Sequence, residues 1–498
     1  MPQLTNTPQV KLGVVGVSRD CFPISLTDRR LTALMAALGK KKIDAVRCGV
    51  IIENEKHMLA ALDDLRAHGC NALVVYLGNF GPEGPTTQLI QRFHGPAMVC
   101  AAAEENKAVL ERDRGDALCG LLNCSYNLGL RKLRAYIPER PVGLPADLAV
   151  SIATFTDIAR VIIGLRGLKV FSFGPRPQDF LACNAPIQPL FDLGIEVMEN
   201  SELDLLGIFN DAAGKKKEIA AVAAEMKKEL GAGNVYPDLL PRLAQYEVGL
   251  SGFMADNLGA RKFGVFANKC WPSFEREFKF VPCYVNGRLT GRGVPVACEV
   301  DIYGAISEYM LQLATLSPAT LLDVNNSVPA EVLPKKSRPA TLADLFMGFH
   351  CGNTCCACMA DCKMNFQVIM NRLMEDGRPA EITRGTLEGT IKSGPVTIFR
   401  LQSTPDCHVC GYVAEGEVLD VDPCTFGGTG VFSIPGFGRF YRHVLIGGHY
   451  PHHTAVGFDK VGEVMFEVLK LMGVADIGVP LPECVPYPGE NLFWKPGK

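Results

Sequence analysis

Residues 447–458 read GGHYPHHTAVGF and put His449, His452 and His453 within five positions, in a chain that has only nine histidines. Imidazole binds divalent metals and exchanges protons near neutral pH, so a cluster of this kind points to a site. A proline inside it and glycines on its flanks read as a tight turn. Its complement lies in CEVDIYGAISEYMLQLATLSPATLLDVNNS, residues 298–327, where Glu299 stands at the start of a helical run and Asp323 at the end of a strand. Open α/β sheets present functional side chains at the ends of their strands. Two carboxylates and a histidine-rich turn make a mixed oxygen and nitrogen site for a divalent ion. Hard carboxylate ligands with imidazole favour Mn²⁺, with Mg²⁺, Co²⁺ or Fe²⁺ as alternates, over an all-thiolate zinc site. The plainer alternative is that Glu299 favours a helix N-terminus, Asp323 caps a turn and the histidines belong to a surface loop.

The elements around these residues must bring them together. The first third of the chain alternates short apolar runs with amphipathic helices: VKLGVVGVS, LTALMAALGKK, IDAVRCGVII, HMLAALDDLRAHG, ALVVYLGNF. This is the pattern of a parallel sheet covered on both faces. Residues 1–165 are therefore expected to form a doubly wound, Rossmann-like α/β domain, with Arg19 and Asn79 just past two strand ends as candidate substrate contacts. A second such domain, residues 166–327, opens on LKVFSFGPRPQDF and carries both carboxylates. Residues 328–340 have the composition of a connector. Many short strands separated by glycines follow from about residue 380, so residues 328–498 are expected to form a β-rich, barrel-like domain carrying the histidine turn and closed by the helix KVGEVMFEVLKLMGV.

Composition narrows the class. A 48% hydrophobic and 21% charged chain with net charge −3 is that of an ordinary globular protein with no footprint for nucleic acid. The start MPQLTNTPQVKLGVVGVS lacks a secretion signal, and no apolar run reads as long enough to span a membrane, so a cytoplasmic protein with no membrane partner is expected.

Glu299 and Asp323, the segment FHCGN from Phe349 to Asn353, and the HHT of His452 to Thr454 together resemble the L-fucose isomerase and L-arabinose isomerase superfamily. The Glu-to-Asp segment is similar to that of fucose isomerases, the double histidine to that of arabinose isomerases. The resemblance covers essentially the whole chain, because members have two Rossmann-like domains followed by a β-rich one. It implies that Glu299 and Asp323 bind the ion and act as the acid/base pair, that His453 completes the coordination, and that His452 faces a monosaccharide substrate. His350 resembles a further ligand of the arabinose-type site, whereas fucose isomerases use three protein ligands; it is kept here as a substrate-side residue. His449 is a hydrogen-bond partner or a substrate contact. The resemblance also implies a homo-oligomer, a hexamer, in which a neighbouring N-terminal domain helps cover the site. The sugar stays open between L-fucose, L-arabinose, another aldose and an anionic hexose such as sulfoquinovose.

Such chemistry suits the residue types. Interconverting an aldose and a ketose through an enediolate moves a proton between two carbons while charge develops on adjacent oxygens, work for carboxylates beside a divalent ion. Two rivals remain. Paired α/β lobes also build sugar-binding proteins without catalysis, and CGNTCCACMADC, residues 351–362, could hold zinc or an iron–sulfur cluster in a redox protein. Cys351, Cys355, Cys358 and Cys362 fall at spacings of four, three and four, however, which predicts the packed face of a helix, and no structural disulfides are expected.

Overall fold

The computed structural model describes residues 4–334, 342–370, 373 and 382–494; of the connector at residues 328–340, the part from 335 onward lies outside the described residues. Three sheets follow one another along the chain. The first comprises β1 (Leu12–Val17), β2 (Ala45–Arg47), β3 (Ala72–Leu77), β4 (Ala97–Ala102) and β5 (Val142–Gly143), all parallel in the order β2-β1-β3-β4-β5. Every residue of β1, β3 and β4 is buried, as expected of strands covered on both faces. The second sheet has β6 (Leu168–Gly174), β7 (Glu196–Ser201), β8 (Phe263–Ala267) and β9 (Val296–Ala297), parallel in the order β7-β6-β8-β9. Both α/β patterns read from the sequence are present.

The third sheet is mostly antiparallel. It contains β10 (Thr320–Asn326), β11 (Leu345–His350), β12 (Lys363–Phe366), β13 (Arg384–Thr390), β14 (Gly394–Ser403), β15 (Val409–Val418), β16 (Gly428–Ser433), β17 (His453–Gly457) and β18 (Ile477–Gly478), in the order β12-β13-β16-β11-β10-β17-β14-β15-β18. An extra pairing of β15 with β16 closes six of these strands on themselves. Closure removes the sheet edges and makes the barrel expected of this part. The chain forms two compact units, one of Pro8–Ile163 with Lys470–Met472, the other of Met1–Thr7, Gly164–Leu469 and Gly473–Lys498. The second therefore holds both the four-stranded sheet and the barrel; residues 1–165, 166–327 and 328–498 stand as a proposed division, with the correction that β10, and Asp323 on it, belongs to the third sheet rather than to the second α/β sheet.

One helix joins those two sheets. Ile302–Thr315 is buried from Tyr303 to Ala314, with scarcely a polar face. A helix apolar all round must be covered all round; this one packs on β6, β8 and β9 and also on β10, β14 and β17. Its N-terminus is thereby fixed where the barrel meets the α/β sheet.

Two expectations are overturned. Residues 351–362 are not a helical face: Cys356–Cys358 form a single 3-10 turn, and the chain folds back into β12. The reversal brings Cys356 and Cys362 to a Cα separation of 5.4 Å, and they are joined by a disulfide. The helix Pro145–Arg166 is long and apolar enough to cross a membrane, by length and composition alone. Leu148, Ile152, Phe155 and Leu165 on it are buried within the protein, while Val150 is exposed.

Candidate active site

The sequence between β9 and the helix Ile302–Thr315 makes a tight turn. Glu299 and Val300 both adopt left-handed backbone, with φ of 60° and 56°. Such conformations cost a non-glycine residue on the order of 1–2 kcal/mol and persist only where the surroundings impose them. Here the Val300 N–H donates to the Asn268 carbonyl at 2.8 Å and Asp301 caps the helix by accepting from the Gly304 N–H at 2.9 Å. Glu299 thus lies just before the helix rather than on its first turn.

On the barrel side, Asp323 is the fourth residue of β10 rather than its last, and it pairs directly with His453, the first residue of β17. His453 is therefore on a strand, and only His449, exposed with φ of 57°, occupies the turn proper. Glu299 Oε2 lies 3.4 Å from His452 Nε2 and 3.5 Å from His453 Nε2. Asp323 Oδ1 lies 3.7 and 3.5 Å from the same two nitrogens. These separations are long for direct hydrogen bonds and suit donors that converge on one cation.

His453 is fully buried. Its Nδ1 lies 2.7 Å from Asp301 Oδ2, and Asp301 is held in turn by Arg400, Nη1 to Oδ2 at 2.5 Å and Nη2 to Oδ1 at 2.9 Å. The hydrogen bond of Nδ1 with Asp301 fixes the ring and directs Nε2 at Glu299 and Asp323. That Nε2 is buried without a hydrogen-bond partner among the described residues. Burial by itself would push the His453 imidazole down, yet Cys183, Glu299 and Asp301 together raise it well above its ordinary value. For Glu299, burial pushes the carboxyl up, and His453, His452 and His350 outweigh it to leave the group below its ordinary range. The pocket thus favours an ionised Glu299 with positive charge beside it.

A second group, Cys183, Asp301 and His453, is also close enough to share an ion. Both Asp301 oxygens are already engaged by Arg400 and His453, and burial pushes the Cys183 thiol up to about 11, which keeps it protonated and a weak ligand. The other group close enough to share an ion is Glu299, His452 and His453, and Asp323 lies 3.7 and 3.5 Å from the two imidazoles beside it. His452, part-exposed and edge-on to Phe180 with ring centroids 5.4 Å apart, borders the same space. His350 is buried with its ring 6.3 Å from that of His453, and its Nδ1 accepts from the Asn353 N–H at 3.3 Å.

Arg19 and Asn79 belong to the other unit. Asn79 is buried, accepts from the Arg19 N–H at 2.8 Å and donates to Ser18 Oγ at 2.8 Å, tying the ends of β1 and β3 together. Sequence reasoning missed Asp301, Arg400 and Cys183. Asp301 stood in CEVD, two residues past Glu299, but nothing in the sequence pairs it with an arginine in β14.

Beside Glu299 a crevice of about 670 Å³ opens at the carboxyl ends of β6 and β7, lined by Gly174, Arg176, Cys183, Glu199, Ser201 and Val300, among others. The sheet order reverses at β6, the place where open parallel sheets bind ligands. Cys183 is shared with the carboxylate site, its Sγ 3.7 Å from Glu299 Oε2. Arg176 Nε is buried there with no hydrogen-bond partner among the described residues.

Residues 13–166 match the fucose/sulfoquinovose isomerase N-terminal domain, and residues 348–478 match the L-fucose isomerase C-terminal domain. These matches define the class as an aldose–ketose isomerase. Similar proteins include the sulfoquinovose isomerase of Clostridium sp. (strain MSTE9), 27% identical over 342 residues that make up 65% of this chain and 68% of that protein. Those of Priestia aryabhattai, 24% identical over 64% of this chain and 66% of theirs, and of Alkalicoccus urumqiensis, 26% identical over 65% and 68%, are alike. The alignments thus span about two thirds of each relative. The chain belongs to the fucose/sulfoquinovose isomerase family. Glu299 and Asp323 lie between the two matched stretches, so their roles rest on geometry.

Proposed function

We propose that the protein is a divalent-metal-dependent aldose–ketose isomerase, with Glu299, Asp323 and His453 holding the ion, Mn²⁺ by preference. The observation that carries this reading is the buried, unpartnered Nε2 of His453 within 3.5 Å of both carboxylates. A bound cation supplies charge stabilisation for the two adjacent sugar oxygens. Glu299 and Asp323 take the proton from one of the two sugar carbons and return it to the other, through an enediolate. Asp301 and Arg400 hold His453 in the ligating tautomer, and His452 faces the substrate, with His350 and His449 contributing hydrogen bonds around it. A homo-oligomer, hexameric, in the cytoplasm, completes the proposal, with Arg19 as a contact from a neighbouring N-terminal unit and Asn79, buried behind it, holding the Arg19 backbone rather than touching substrate.

Among sugars, sulfoquinovose is the first to test, since it stands in the relatives' names and its sulfonate suits Arg176, whose buried Nε has no hydrogen-bond partner among the described residues, in the adjoining crevice. Chelator-stripped protein should lose ketose formation and regain it with Mn²⁺. Glu299→Gln, Asp323→Asn and His453→Ala should each lower metal content and nearly abolish turnover without changing the circular dichroism spectrum. Full Mn²⁺ occupancy and normal activity in His453→Ala would refute the reading; sugar binding without turnover in the native protein would favour a binding protein. Arg176→Gln should raise KM for sulfoquinovose at least tenfold and leave that for a neutral aldose unchanged, as expected for the loss of a charge-assisted pair worth about 1.5–3 kcal/mol.

A further inference from the structure

The cysteines of residues 351–362 are not used by the chemistry above, and they divide into two pairs. Cys356 and Cys362 are bonded. Cys355 and Cys358 are both free thiols, buried on the 3-10 turn, with their Sγ atoms 3.2 Å apart. Free cysteines in a core ordinarily pack as small apolar groups, but sulfurs in such close contact already share a proton and need little movement to bond. Their spacing is C-x-x-C, that of dithiols which open and close.

Reactivity also requires a nucleophile and a way in. Cys358's thiol and the backbone N–H groups of Cys358 and Ala357 hold the Cys355 thiol below its ordinary value, against the opposing pull of burial. Cys358 is pushed well above its own by proximity to Cys355 and by burial. Cys355 is the attacking thiol because it lines the neighbouring cavity, and Cys358, which does not, is the resolving one. Cys355 and Ala357 line a cavity of about 460 Å³ whose other walls come from Glu225, Lys228, Glu229, Arg288, Gly291 and Arg292. Gly291 keeps the approach open, since a Cβ there would stand 3.3 Å from Cys355 Sγ.

We infer that Cys355 and Cys358 form a reversible redox pair, oxidised through this cavity by a low-molecular-weight disulfide. Cys355 thiolate attacks one sulfur of the disulfide and expels one thiolate. Cys358 then attacks the Cys355 sulfur of the mixed disulfide, gives up its proton and expels the second. Two protein thiols lose two electrons and two protons overall, and the small disulfide gains both as two thiols. The pair is mechanically joined to the isomerase site: the Cys358 thiol donates to the Pro318 carbonyl at 3.7 Å, and Thr354 Oγ1 lies 2.9 Å from Thr320 Oγ1 at the start of β10, the strand of Asp323. The inference does not depend on which sugar is isomerised, or on isomerisation at all.

The test equilibrates the full-length protein in mixtures of reduced and oxidised glutathione, quenches it with acid, alkylates the remaining thiols and maps them by mass spectrometry. The expected result is a reversible loss of two alkylatable thiols, with Cys355 and Cys358 recovered in one disulfide-linked species. Cys358→Ser should trap glutathione on Cys355, and Cys355→Ser should trap none on Cys358. Gly291→Val should slow closure several-fold and leave the end point unchanged. Cys355 and Cys358 remaining fully alkylatable in oxidised glutathione, or Cys355 paired with Cys362 instead, would overturn the assignment.

Discussion

Asp301 bears the largest electrostatic load of any residue near the site. It binds the Arg400 guanidinium with both oxygens, accepts from His453 and caps the helix that begins beside it. Asp301→Asn would leave Arg400 fully buried without a counter-charge, a change that typically costs 3–5 kcal/mol, and would loosen the tautomer of His453, which typically lowers metal affinity 10- to 100-fold. Urea unfolding and Mn²⁺ titration measure the two effects separately. Glu308, on the same helix, is a different case. Burial pushes its carboxyl up to about 8, against the pull of His350 and His453, and its Oε2 has no hydrogen-bond partner among the described residues. Between the ordinary carboxyl value of 4.5 and about 8 the folded chain keeps a proton that the unfolded chain has released, so this group makes stability fall as pH rises across that window. Glu308→Gln should flatten the slope and raise the unfolding midpoint at the alkaline end, measured on metal-free protein. The double histidine stood out in the sequence because the chain has only nine histidines, whereas Glu299 and Asp323, two of 53 acidic residues, were singled out through the family resemblance. Asp301, Cys183 and Arg400 were not, because a second layer is defined only by what tertiary packing sets beside the first.

At the level of elements, the parallel strands were legible because burial on both faces leaves unbroken apolar runs such as ALVVYL in β3. The segment holding the cysteines was misread for a related reason: small residues at helical spacing carry the same period whether or not a helix forms, and disulfide pairing leaves no periodic trace. What shapes that segment is close contact with β13. A Cβ at Gly389 would stand 1.9 Å from the Asp361 carbonyl oxygen and 3.0 Å from Met359 Sδ, in the stretch where the Ala360 N–H donates to the Thr390 carbonyl at 2.8 Å. Backbone cannot yield as a side-chain tip can. Gly389→Ala should therefore cost about 1–3 kcal/mol, the usual range for overpacking, read as a lowered denaturation midpoint, and should disturb the Cys355 and Cys358 turn before it disturbs Glu299.

For the whole molecule, the distances along the chain matter as much as those in space. Cys183 and His453 are 270 positions apart and yet their Sγ and Nδ1 atoms are 3.7 Å from each other, and the closed barrel, begun at Thr320, is complete only with β17 at Gly457. Contacts of such long sequence separation form late and slowly in folding. The direct pairing of Asp323 with His453 across β10 and β17 gives this a further meaning. Side chains alternate faces along a strand, so sliding β17 by one residue would turn His453 away from Asp323 and present a neighbour in its place. Only the native alignment brings imidazole and carboxylate together, and the free energy of chelation is therefore granted to that alignment alone. Under the proposed function, the site would thus act as a proofreader of its own barrel, rewarding the correct strand register with a bound ion and withholding it from every slipped one.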